Sequence, residues 1–320
     1  MFAASAVSFS NDDPLSGLHL GEHAEPVARD GWVTVEVRAT SVNHHDLWTL
    51  KGVGISADKL PMILGCDAAG VDPEGNEVIV HGVIASGGYA DETVDPGRSL
   101  LSEIHQGTFA ERVAVPVRNL VPKPAELSWA QAACLPTAWL TAYRMLFTRS
   151  GLVPGQTVLI QGAGGGVSTA LVVLARQAGL RVWVTSRDAT RGDRAVEIGA
   201  HAAFASGARL PEKVDAVMET VGAATWAHTL RSLKPGGRVV IAGATSGSQP
   251  PADLSRVFFL QLSVVGSTMG TREELERLVA MCAATGVRPL IDRELPLAEA
   301  DEALRHVAAG DLFGKIVLTT

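Results

Sequence analysis

Apolar and polar residues alternate in 33-VTVEVRA-39, the period of a strand with one buried face. The stretches 77-EVIVHGVI-84 and 109-FAERVAVP-116 repeat that pattern with Gly and Pro between them, so 31–124 reads as an all-β module with irregular loops. At 122-PKPAELSWAQAACLPTAWLTAYRMLF-147 the period lengthens. Pro-x-Pro closes the β-module and Ser128 is placed to cap a helix. A second helix is expected after Pro136, carrying Trp139, Leu140, Tyr143 and Leu146.

From Thr157 onward strands and helices alternate. The apolar strand 157-TVLIQ-161 is followed by a Gly-rich turn and the helix 167-VSTALVVLARQAG-179, then by the strand 181-RVWVTS-186 and the helix 190-TRGDRAVEIGA-200. The strands 214-VDAVMET-220 and 238-RVVIAGA-244 enclose a helix predicted to end at 234-KPGG-237, where glycine stops it. Another strand is expected in 262-LSVVGSTMG-270, a charged helix in 272-REELERLVAMCAATG-286, and a helix with a short last strand in 297–320. Runs of β-branched residues separated by helices indicate a parallel sheet buried on both faces. The fold class is α/β: a doubly wound parallel sheet beside the β-module.

Composition narrows the function. A chain of 320 residues has room for two cored domains. A net charge of −7 with no basic stripe excludes nucleic acid as an expected partner. No apolar run is long enough for a bilayer, and the N-terminus lacks the basic start and apolar core of a signal peptide. Three scattered cysteines, Cys66, Cys134 and Cys282, make no disulfide framework, so a reducing cytoplasm is the expected location.

The turn 161-QGAGGGVSTA-170 lies between a strand and a helix, the context in which glycines let backbone N–H groups approach a pyrophosphate. With Gly165 as the central glycine, Ala163 and Ser168 fill the outer positions of the dinucleotide fingerprint, and both are small. The cofactor-binding candidates are Gly162, Ala163, Gly164, Gly165, Gly166 and Val167, with Gly243, Ala244 and Thr245 after the later strand. Ser186 stands where an NAD-binding unit places an acid, and Arg187 follows, with Arg191 one turn on. Ser and Arg suit a 2′-phosphate, so NADP(H) is the expected cofactor; Asp188 favours NAD(H) if the register shifts.

The segments 41-SVNHHDLWTLKG-52, 62-MILGCDAAGV-71, 107-GTFAERVAVP-116, 151-GLVPGQTVLIQGAGGGV-167, 196-VEIGA-200, 234-KPGGRVVIAG-243 and 314-GKIVL-318 resemble the medium-chain dehydrogenase/reductase superfamily across almost the whole chain. The resemblance implies a GroES-like β-barrel catalytic domain (1–124, completed by 287–320) and a Rossmann NADP-binding domain (125–286). It also implies an active-site cleft between them and a homodimer formed through the Rossmann sheet near 262–267. Zinc-dependent members hold the metal with two Cys and one His; the matching positions here are Asn43, Cys66 and Thr137, which offer an amide, a thiol and a hydroxyl. A catalytic zinc needs three protein ligands, so no metal is expected. Adjacent Asp67 and the pair His44-His45 do not complete a set. The four-Cys structural lobe is replaced by the cysteine-free stretch 84–111, expected to be an exposed loop.

Without metal, hydride delivery to an electrophilic acceptor is easier than alcohol oxidation. The resemblance therefore implies a zinc-independent quinone oxidoreductase or enoyl reductase acting on a small molecule. Asn43 matches the Asn of that branch and is the candidate donor to a substrate carbonyl. His45 takes the proton-relay position of zinc members and is the candidate acid. His44 matches a position near the cofactor pyrophosphate. Asp46 is expected to order its loop, Cys66 to pack in the pocket wall, and Trp48 and Trp139 to line the pocket or the core. The alternatives are a zinc-type alcohol dehydrogenase with altered ligands and a non-catalytic NADPH-binding protein.

Overall fold

The computed structural model describes residues 1–320, and the chain divides into two compact units, 1–140 with 270–320, and 141–269. The stretches 125–140 and 270–286, expected in the nucleotide-binding half, belong to the first unit.

The first unit is built on the strand Trp32–Ser41. Val35, Val37 and Ala39 point inward while Glu36 and Arg38 stay exposed, as the alternation requires; Thr40 and Ser41 are both buried where the strand enters the interior. Its first half pairs with Arg112–Pro116, and its second half lies between Ala68–Val71 and Lys315–Thr319, all antiparallel. The end of the chain thus returns to the middle of the β-module, with Val317 opposite Ser41. One core cluster gathers Val35, Val37, Val113 and Val115, and another Leu47, Leu50, Leu64, Phe109 and Leu304.

Local signals account for the helices of this unit. Ser128 and Gln131 form a reciprocal cap at the start of Trp129–Ala133, each side chain bonding the other's N–H at 3.1 Å. The helix predicted after Pro136 is present but widened, with a π-helical turn at Leu135–Trp139 in this unit and another at Arg144–Arg149 in the second. The loop replacing the zinc lobe is only partly exposed, a correction to its expected character. Asp95, 1% exposed, accepts the Ser86 N–H (2.7 Å), the Ser86 hydroxyl (2.8 Å) and the Gly97 N–H (2.8 Å), so a polar clamp closes the loop.

The second unit is a six-stranded parallel sheet. In spatial order its strands are Ala202–Ala205, Arg181–Ser186, Thr157–Gln161, Val214–Glu219, Leu233–Ile241 and Ser263–Gly266. Every residue of the central strand Thr157–Gln161 is buried, which explains its uninterrupted apolar run. The motif 234-KPGG-237 does not end a helix. The preceding helix stops at Ser232, and the four residues lie in the strand Leu233–Ile241, where the register with Val214–Glu219 slips. Gly236 has φ +75° there, so its glycine serves a bulge.

Candidate active site

In the first unit, Asn43 follows the strand Trp32–Ser41 and opens the helix His44–Leu50. Its N–H is held by Asp46 Oδ2 at 2.7 Å, and Asp46 Oδ1 accepts the Gly65 N–H at 3.1 Å. Asp46 therefore ties two loops together. Burial pushes its carboxyl up to about 7, against the pull of the Asn43 N–H.

The Asn43 side chain is 8% exposed, and all its polar atoms have partners. Its Nδ2 donates to Asp67 Oδ2 at 2.7 Å and to the Ser41 carbonyl at 3.2 Å, while its Oδ1 accepts from Lys315 Nζ at 2.6 Å. Asp67 Oδ2 also accepts the Ser41 hydroxyl at 2.5 Å and stands 3.7 Å from Lys315 Nζ. Lys315, 2% exposed, completes its bonding on the Val42 carbonyl at 2.7 Å. The amide expected to be free for substrate thus sits in a closed lattice with a buried ammonium at its centre. Lys315 was not among the sequence candidates, and Asp67 was weighed only as a metal ligand. The available signal was a lysine inside the otherwise apolar 314-GKIVL-318.

Cys66 is fully buried, with Sγ 3.3 Å from Thr137 Oγ1 and 3.9 Å from Asn43 Nδ2. Burial pushes its thiol well above the ordinary range, reinforced by the Asp67 and Asp46 charges. His45 lies against the Leu101 carbonyl, its Nε2 4.0 Å from Glu103 Oε1. Burial lowers its pKa, against the pull of the Leu101 carbonyl and the Asp67 charge. His44 is open to solvent on one side, yet the surrounding protein lowers its pKa, followed by the Lys315 and Lys51 charges. Trp48 is exposed; Trp139 is fully buried and belongs to the core.

The second unit gathers the nucleotide candidates at the carboxyl ends of its strands. Gly162 and Gly164 have φ of +86° and +114°, which the turn requires of them. Gly165 precedes the helix Gly166–Gln177 with extended backbone, and a Cβ there would meet only Ser168 Oγ at 3.7 Å. Packing therefore does not demand this glycine, whereas close approach of a phosphate does. The first helical bond is Thr169 N–H to the Gly165 carbonyl, so the N–H groups of Gly166, Val167 and Ser168 face out of the helix start. Ala163 lies within the same turn, and Gly243, Ala244 and Thr245 follow the strand Leu233–Ile241.

At the end of the second strand the Ser186 hydroxyl closes a turn, donating to the Asp188 carbonyl at 2.6 Å and accepting its N–H at 3.1 Å. Asp188, the residue that favoured NAD(H), caps the next helix by accepting the Arg191 N–H at 3.2 Å. Arg187 is exposed and Arg191 half-buried.

Two family profiles match. The alcohol dehydrogenase GroES-like domain covers residues 29–125, and the zinc-binding dehydrogenase domain covers 192–318. A crystal structure of an NAD-dependent alcohol dehydrogenase superposes with a TM-score of 0.92 at 30% identity, each chain covered in full. The chain belongs to the medium-chain dehydrogenase/reductase superfamily. Acryloyl-coenzyme A reductase of Metallosphaera sedula is 28% identical over 95% of this chain and 97% of its own. Human quinone oxidoreductase is 26% identical over 92% and 91%. The superfamily fold binds a nicotinamide cofactor, and the Gly-rich turn fits one.

The zinc implied by one of these profile names does not fit. Its three expected positions hold the engaged amide of Asn43, the buried thiol of Cys66 and the hydroxyl of Thr137. Of the adjacent carboxylates, Asp67 is paired with Lys315 and Asp46 is held by the Asn43 and Gly65 N–H groups, and no cluster of three His, Cys, Asp or Glu side chains is placed to hold a metal ion.

Proposed function

We propose that this chain is a zinc-independent, NADPH-dependent reductase of quinones or of activated double bonds in enones and enoyl thioesters. The observation that carries the reading is the Lys315–Asn43–Asp67 lattice: an ammonium and its hydrogen bonds fill the region of a metal site. Polarisation then falls to hydrogen-bond donors, which suffices for acceptors that are already electrophilic. The relatives named acryloyl-coenzyme A reductase and quinone oxidoreductase support that acceptor class.

NADPH, when bound, supplies the hydride. Asn43 is the donor to the acceptor's carbonyl oxygen. Its bond to the Ser41 carbonyl, at 3.2 Å, is the longer of its two to oxygen and is the one the substrate replaces. Lys315 and Asp67 hold the amide plane meanwhile. The proton comes from water or from His45, the candidate acid, whose pKa burial lowers.

The preference for NADPH rests on Ser186, exposed Arg187 and an Asp188 turned to its helix cap. The relative named NAD-dependent argues the other way. Ser186→Asp is expected to shift the NADPH-to-NADH affinity ratio about tenfold toward NADH; an unchanged ratio removes the NADPH preference.

The chain is proposed to form a homodimer through the outer strand Ser263–Gly266. Beside it in sequence, the short helix Leu254–Phe259 exposes Leu254, Phe258 and Phe259 at 69%, 61% and 76%. The three cysteines are unpaired and buried, the state a reducing cytoplasm maintains, and no helix is long and apolar enough to cross a membrane.

The test is NADPH consumption by chelator-treated protein with a panel of quinones, enones, enoyl thioesters and plain aldehydes, alongside metal analysis. Turnover of the first three without metal is expected. Turnover that requires stoichiometric zinc, or NADPH binding with no acceptor reduced, overturns the reading.

A further inference from the structure

In the parallel sheet the strand order reverses between Thr157–Gln161 and Val214–Glu219, and dinucleotides bind at the carboxyl edge of such a reversal. Beneath this edge runs an unbroken chain of hydrogen bonds. The Gly162 N–H meets Thr185 Oγ1 at 3.3 Å, and the Thr185 hydroxyl donates to Gln161 Oε1 at 2.6 Å. Gln161 Nε2 donates to Thr229 Oγ1 at 2.9 Å, and the Thr229 hydroxyl donates to Glu219 Oε2 at 2.6 Å. The four side chains are at most 1% exposed.

Glu219 has no basic partner. Its Oε1 accepts the Val221 and Gly222 N–H groups at 2.8 and 3.0 Å, and the Thr225 hydroxyl lies 3.0 and 2.9 Å from its two oxygens. The second Gln161 N–H faces His228 Nδ1 at 3.0 Å, while His228 Nε2 faces the Ala208 carbonyl at 2.8 Å. That contact fixes which way the Gln161 amide points. A backbone N–H can only donate and a carboxylate can only accept, so the two ends set the direction of every bond between them. Bonds aligned in one direction also polarise one another.

We infer that Glu219 is a positioning residue for the nicotinamide nucleotide: acting through Thr229, Gln161 and Thr185, it holds the Gly162 peptide in the orientation the phosphate-binding turn requires. The inference rests on reading that turn as the nucleotide cradle. Glu219→Gln preserves volume but breaks the direction of the chain. In one amide orientation Thr229 receives two donors and its own hydrogen has no acceptor. In the other, the new N–H group faces those of Val221 and Gly222. Turning Gln161 over to compensate costs His228 its donor and Thr185 its acceptor.

The experiment measures NADPH affinity by fluorescence titration, and melting temperature without nucleotide, for wild type, Glu219→Gln, Thr185→Val and the double variant. Each single change is expected to weaken binding about tenfold, and the double variant no more than either, because one chain is cut twice. Multiplying losses, or a lowered melting temperature with unchanged affinity, would overturn the inference. If Glu219→Gln does not fold, Thr229→Val replaces it in the same cycle. Wild type that binds neither NADPH nor NADH overturns the cradle and this inference together; wild-type binding with unmoved variants overturns this inference alone.

Discussion

Asp67 and Glu219 are both fully buried, and the two units satisfy them differently. Asp67 has a countercharge, Lys315 at 3.7 Å, and two donors on Oδ2, while its Oδ1 accepts no bond. Glu219 has no countercharge and is surrounded by backbone N–H groups and hydroxyls. A buried charge is tolerable when paired or when solvated by fixed dipoles, and the two arrangements fail differently. Loss of the partner from an ion pair strands a charge. A misdirected dipole shell loses geometry first, which makes Glu219 suited to positioning and Asp67 vulnerable in stability.

The largest effect that could break this contrast is on stability. Lys315→Met is expected to cost about 3–5 kcal/mol in urea unfolding, because Asp67 is left without its cation, and adding Asp67→Asn should restore most of that loss. A loss below about 1 kcal/mol would mean that the pair is not what holds the lattice. Next in size, Asn43→Ala should lower kcat about a hundredfold on a quinone or enone while leaving NADPH affinity within about twofold. A change in nucleotide affinity instead would erase the division of labour between the units.

The pH dependence sharpens the same comparison. Burial lowers the folded pKa of His45 and His228 below 6.5, so the unfolded chain binds more protons beneath that value. Their contribution is complete above pH 6.5 and is lost as pH falls through the lowered folded values. Asp46 has the opposite sign: raised from 3.8 to about 7, it loses stability as pH rises across that window. Urea midpoints measured from pH 5 to 8 should therefore show a shallower acid-side decline in His228→Gln than in wild type; an identical slope would remove His228 from the account. The smallest effect belongs to Cys66→Ser, expected to cost about 1–2 kcal/mol for a buried hydroxyl, with turnover nearly unchanged.

Much of the second unit was legible locally. The strand Arg181–Ser186 coincides with its apolar run, and the Gly-rich turn lies between the expected strand and helix. A central parallel strand is buried on both faces, so composition alone marks it. The motif 234-KPGG-237 misled because a glycine at positive φ serves a bulge as readily as a helix end. In the first unit, strands of two to five residues such as Met62–Ile63 and Phe2–Ala6 carry too little pattern to be read singly. The loop 84–111 read as exposed because polarity marks exposure on average, whereas Asp95 turns its polar neighbours inward onto itself.

By itself the sequence determined which residue types stand at the positions that matter. Asn43, Cys66 and Thr137 offer an amide, a thiol and a hydroxyl wherever the chain places them, because that follows from residue type alone, and glycines with this spacing between strand and helix mark a tight turn suited to a phosphate, because that follows from local sequence. Only the tertiary structure decided what stands in the metal's region and what supports the turn. Lys315 reaches Asn43 across 272 residues, and Thr229 reaches Gln161 across 68. Such meetings depend on strand register: pairing Val317 with Ser41 brings Lys315 beside Asn43, and a slip by one residue would turn its side chain to the other face.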